Sequence, residues 1–134
     1  MVSSMLEIEW GAGPRRQRVA EDQLDALLDR IDDEARRVHR PQDVQVTVGD
    51  AGTLGIVLGA DWSVVNHVPS HLNPPYMVTV GADQGDEPVA FYVAGDHLSE
   101  TLRRNTISPN AARAAMRHFV ATGELSPELD WEEV

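Results

Sequence analysis

The chain has 134 residues, no cysteine and a formal net charge of −11. That length buries one core without disulfides or a structural metal, and the missing thiols exclude disulfide frameworks, cysteine nucleophiles and Cys-ligated zinc. All 11 basic residues are arginines, set against 22 acidic ones, a balance that disfavours nucleic-acid phosphates and anionic membranes as direct partners and favours a basic protein.

Residues 1–5 lack the basic start, apolar core and small-residue cleavage site of a signal peptide. No apolar run approaches the roughly 20 residues of a membrane helix, so a cytoplasmic protein is expected. Residues 5–10 alternate, with Leu6, Ile8 and Trp10 on one face and Glu7 and Glu9 on the other, the pattern of a strand. The next stretch, 11–18, mixes glycine and proline with three arginines and has no apolar period; a mobile basic loop is expected.

From about residue 21 to 38, Leu24, Leu27, Leu28, Ile31, Ala35 and Val38 fall on one helical face. Acidic residues gather early and Arg36, Arg37 and Arg40 late, complementing the helix dipole, and Pro41 ends the helix. The carboxylates Asp25, Asp29, Asp32 and Asp33 read as a solvated face. Residues 44–48 and 53–58 flank a Gly49-Asp-Ala-Gly52 turn and predict an antiparallel hairpin. Strands are further expected at 62–66, 76–80 and 88–94, with Pro69 and Pro74-Pro75 forcing an irregular connection before the second. Connections this short favour a meander over parallel βαβ units.

The last quarter carries the firmest boundaries. Ser108 is an N-cap, Pro109 suits the first helical position and Gly123 suits a left-handed stop, around a stripe of Ala112, Ala115, Met116, Phe119 and Val120. Trp131 among Asp130, Glu132 and Glu133 predicts a tail docked on the domain, since a disordered tail has little use for a large apolar ring. The expected fold is α+β: one domain over residues 1–134, an antiparallel meander of five to six strands, and two main helices packed on one face.

No reaction centre is evident. His67 and His71 have an H-x₃-H spacing, but Pro69 between them breaks the helix that would converge them on a metal. Asp96, His97, Ser99 and Glu100 have the residue types of a nucleophilic triad, yet sequence neighbours rarely converge. The glycines lie in and between strands with no helix N-terminus following to hold phosphate. No catalytic residue, metal or cofactor is assigned. Acidic clusters at Asp83, Asp86 and Glu87 and across 124–133 instead favour a binder.

The order Gly55-Ile-Val-Leu-Gly59, Ser63-Val-Val65, Pro74-Pro-Tyr76, Val89-Ala-Phe-Tyr92, Gly95 with Glu100, Ile107-Ser-Pro109, an Ala-Arg-Ala-Ala helix with Phe119, Thr122-Gly123 and the closing Trp131-Glu-Glu-Val134 resembles the first-numbered immunity-protein family of bacterial polymorphic toxin systems. The resemblance covers about the last two thirds of the chain. It implies a small α+β protein that binds and neutralises a toxin inside the producing cell, commonly a toxin of the deaminase superfamily, and it carries no catalytic residues. Its matching positions Tyr76, Glu100, Trp131, Glu132 and Glu133, with Trp62, Asp83, Asp86 and Glu87, form the expected partner-binding set. A histidine- or metal-dependent enzyme using His67, His71 and His97, and a regulatory interaction module, are the alternative readings.

Overall fold

The computed structural model describes residues 5–11, 15–93 and 96–134. Its core layer is one sheet built from β1 (Met5–Trp10), β2 (Arg15–Ala20), β3 (Gln42–Val48), β4 (Gly52–Leu58), β5 (Val65–Val68) and β6 (Met77–Val80), closed at one edge by β9 (Asp130–Glu133). The strands run in the order β2-β1-β3-β4-β5-β6-β9, every neighbour antiparallel. A hairpin of β7 (Pro88–Val93) and β8 (His97–Leu102) hangs from the start of β3 by a parallel bridge between Gln42 and Tyr92. Two helices complete the fold, α1 (Leu24–Arg37) and α2 (Pro109–Thr122).

Strand alternation divides the sheet into two unlike faces. On one, Ile8, Val44, Val46, Leu54, Ile56 and Val65 meet Leu24, Leu27, Leu28 and Ile31 of α1 and Ala112, Ala115, Met116 and Phe119 of α2, forming the main core. Both helices therefore lie on the same side, as the sequence predicts. The other face carries Glu7, Asp43, Gln45, Thr53, Gly55 and Asn66, and only its far part is covered, where Phe91 packs with Val57, Val64 and Val78.

Among the described residues the sheet system has nine strands, not five or six, because three strands escape apolar periodicity. Residues 15–18, expected in a loop, belong to β2: Arg16 and Arg18 stand opposite Glu9 and Glu7, and Arg16 pairs with Glu9 at 2.8 Å. Cross-strand charge pairing on an edge strand replaces the apolar pattern there, and among its described side chains Val19 alone is buried. Residues 12–14 of that loop lie outside the described residues, as does Ala94 at the end of the strand expected at 88–94. The strand expected at 62–66 starts at Val65; Ser63 instead bridges Ile107, its hydroxyl satisfying Val57 N and O. Val38, assigned to the buried stripe, is exposed because α1 stops at Arg37, and His39 turns the chain at φ 56 before Pro41 is reached.

The carboxylates of α1 are not simply a solvated face. Arg113 of α2 reaches Asp29 at 2.7 Å and Asp25 at 3.2 Å, and Arg117 reaches Asp25 at 2.9 Å, so they join the two helices. Asp32 accepts from Gly59 N and from Arg36, which also reaches Asp61, fastening α1 to the end of β4. In α2, Ser108 Oγ accepts from Ala111 N and Gly123 takes φ 75, the cap and stop that the sequence specifies.

Candidate functional site

The helix-free face holds two adjoining depressions that share Asn66 and Val134. The larger, about 480 Å³, is floored by Asp43, Gln45 and Gly55 of the central strands and walled by Phe91, Val93 and Ser99 of the β7–β8 hairpin and by Leu72, Tyr76 and Met77. The smaller cleft is lined by Glu100, Arg104, Asn105, Glu132 and Glu133.

Three local devices build the acidic cleft. The turn Arg103–Asn105 follows β8, and its backbone amides hold the acidic loop: Arg103 N donates to Glu87 O and Arg104 N to Gly85 O. Asn105 is buried and uses its amide nitrogen twice, to Thr79 O and to Glu132 Oε1 at 2.7 Å, while Thr79 Oγ1 donates to Asn105 O. The C-terminal strand is set by Trp131, which turns to the helix side, packs on the main core and donates through Nε1 to Ser126 O. Because neighbours on a strand face opposite ways, burying Trp131 delivers Glu132 to the helix-free side.

The electrostatics are those of a partly compensated acidic patch. Arg104 lies 3.0 Å from Glu132 and 3.8 Å from Asp86, and Arg103 lies 3.2 Å from Glu87. The Asn105 amide hydrogen bond, helped by Arg104 and opposed by desolvation, holds the Glu132 carboxyl below its ordinary range. Asp83 accepts from Gly85 N and stands beside Glu87 and Arg103 at that turn. On this patch Arg103 and Arg104 are set against Asp83, Asp86, Glu87, Glu100 and Glu132, so its formal charge is negative.

The structure thus gathers the acidic members of the expected set and separates the aromatic ones. Tyr76 lines the larger cavity, its hydroxyl donating to Leu72 O. Trp62 is half-buried and packs edge-on against Phe91 at 6.3 Å. His67 Nε2 donates to the Ala51 carbonyl and its ring meets Phe119 edge-on, whereas His71 Nδ1 accepts from Asn73 N, so the two imidazoles are engaged separately. In β8, alternation leaves His97 and Ser99 on one face and sends Glu100 to the other.

Sequence reasoning missed Asp43. Its carboxyl is almost fully buried, and burial pushes its pKa up to about 6, with the Gln45 side-chain amide opposing at 2.8 Å. Gly55 on the adjacent strand makes the room, since a Cβ there would stand 2.8 Å from Asp43 Oδ1. The available signal was polar Asp43 and Gln45 alternating with core Val44 and Val46 in a central strand, with a glycine opposite.

Among the described residues no helix is long and apolar enough to cross a membrane. No curated protein matches the chain. A family model described as "Immunity protein Imm1" matches residues 15–133.

Proposed function

The chain belongs to the Imm1 family of immunity proteins, and from that premise we propose that it neutralises one cognate polymorphic toxin by stoichiometric occlusion, transforming nothing itself. The toxin is a nucleic-acid cytidine deaminase in this reading. Such an enzyme needs a basic approach surface for phosphates and a pocket for the target base, and an acidic protein can occupy the first and obstruct the second. The observation that carries the proposal is the cleft of Glu100, Glu132 and Glu133 beside Asp83, Asp86 and Glu87, which presents carboxylates where a nucleic acid would present phosphates.

Within that surface, Tyr76 offers an aromatic wall, Trp131 packs β9 with its Glu132 on the main core, and Trp62 packs against Phe91. A standard interface takes about 800 Å² from each partner, which is about a tenth of this chain's 7608 Å². Opposite charge accelerates encounter, while a few desolvated groups set the dissociation rate.

The test is co-expression with the toxic domain encoded by the neighbouring gene. Growth should be rescued, the two chains should co-purify, and deamination should titrate to zero at a one-to-one ratio. Association should slow as salt rises while dissociation changes less. Undiminished toxicity beside an abundant, folded chain refutes the proposal. Retained inhibition with no deamination by the toxin would remove the deaminase assignment alone.

A further inference from the structure

Asp43 is an ionisable group in the middle of a sheet with too few partners. Among the described residues its carboxyl receives one hydrogen bond, from Gln45 Nε2 to Oδ2, whereas an ionised carboxylate can accept about four. Among the described residues no cation contributes beside it: burial raises its pKa and Gln45 lowers it. On the cavity wall, the Tyr76 hydroxyl already donates to Leu72 O.

The walls around this acid have a different chemistry from its floor. Phe91, Val93 and Met77 line the cavity, and its rim bears Leu72 and Val134, two of the large apolar side chains most exposed among the described residues, at 71% and 81%. Leu72 is held at φ 64, a left-handed conformation uncommon for a residue other than glycine, by its amide donating to Pro69 O and by the Tyr76 hydroxyl on its carbonyl. The loop thus keeps an apolar side chain at the mouth where solvation alone would withdraw it.

A buried acid at the bottom of an apolar-walled, open cavity matches a long side chain with an alkyl stem and a cationic head. We propose that this cavity receives one arginine or lysine of the toxin, with its charged head at Asp43 and its stem against Leu72, Phe91 and Val93. The inference rests on the reading above that the partner is a toxin with a cationic surface, and the acidic cleft that shares Asn66 and Val134 with this cavity supplies the long-range attraction. The cleft accelerates encounter; the Asp43 cavity fixes register, because a desolvated charge pair forms in one geometry only.

Binding of a catalytically inactive form of the neighbouring toxic domain should be measured for the wild-type chain, Asp43→Asn and Leu72→Lys. Asp43→Asn removes the charge without changing the shape, and it should weaken binding roughly 30-fold or more, chiefly through faster dissociation, while the folded state persists. Leu72→Lys changes an exposed rim position and places a competing cation at the mouth; it should weaken binding about 10-fold or more with stability unchanged. Scanning the toxin's arginines and lysines should yield one whose loss adds little to Asp43→Asn, the signature of a shared contact. Wild-type affinity in both variants, or no toxin cation coupled to Asp43, overturns the inference and leaves the immunity role intact. A wild-type chain that does not bind the toxic domain overturns both.

Discussion

Replacing Asp43 with asparagine should stabilise the isolated protein, and by more as pH rises. In the folded state the carboxyl titrates at about 6 instead of 3.8, because burial penalises its charged form more than the Gln45 amide rewards it. Below the lower value both folded and unfolded chains hold the proton, and the site costs nothing. Between 3.8 and about 6 the unfolded chain loses its proton first, so stability falls with rising pH until the folded carboxyl ionises too. Above that point the full interval is expressed, about 3 kcal/mol in order of magnitude; at about pH 4.5 roughly 1 kcal/mol of it has developed. Asparagine does not titrate and can still accept from Gln45. Urea denaturation of wild type and Asp43→Asn at about pH 4.5 and 7.5 gives the comparison, and the stability difference should shift by about 2 kcal/mol in favour of the variant at the higher pH. A difference independent of pH would mean that the Asp43 carboxyl has an ordinary affinity for its proton, and the account of its surroundings would fail.

Phe119 is fully buried between α2 and the sheet, so Phe119→Ala should cost about 3–5 kcal/mol by chemical denaturation, and a loss below about 1 kcal/mol would contradict this packing. Ser108→Ala removes the acceptor for Ala111 N and should lower stability by about 1 kcal/mol, with Ser108→Asp restoring most of it. Asp25 is pulled two ways: burial raises its pKa, but the hydrogen bonds and charges of Arg113 and Arg117 prevail and lower it. Its stabilisation is therefore present above 3.8 and lost as pH falls through the lowered folded value, and the NMR titration midpoint of its carboxyl should rise when Arg113 is replaced by alanine. Asn105→Ala deprives Thr79 O of a donor in a buried setting and should cost about 1–3 kcal/mol by thermal or urea unfolding.

Elements that obey a period or a cap were legible in the chain alone. An amphipathic stripe places α1 against the sheet wherever the sheet runs, because its apolar face has to leave water. Ser108 and Gly123 bound α2 through backbone groups a few residues away. Alternation and the Gly49–Ala51 turn set β1, β3 and β4 in the same local way. The resemblance to immunity proteins was likewise carried by short motifs that survive without coordinates.

The polar strands and the site were left to the tertiary structure. β2 and β8 carry charge or mixed side chains, and hairpin pairing with the more apolar strands β1 and β7 supplies the order that their own composition does not. Four residues at the C-terminus become a strand because Trp131 finds the main core and β6 offers an unpaired edge. That docking brings Glu132 to Asn105 and Arg104, nearly thirty positions back, and makes one surface of acids that the sequence shows only as separate clusters. Asp43 shows the limit most clearly. Its alternation with Val44 and Val46 marks only which face it occupies, and the hairpin laid across the helix-free face turns it into a buried charge at the bottom of a cavity. Periodicity records which way a side chain points; what meets it there depends on segments brought together by folding.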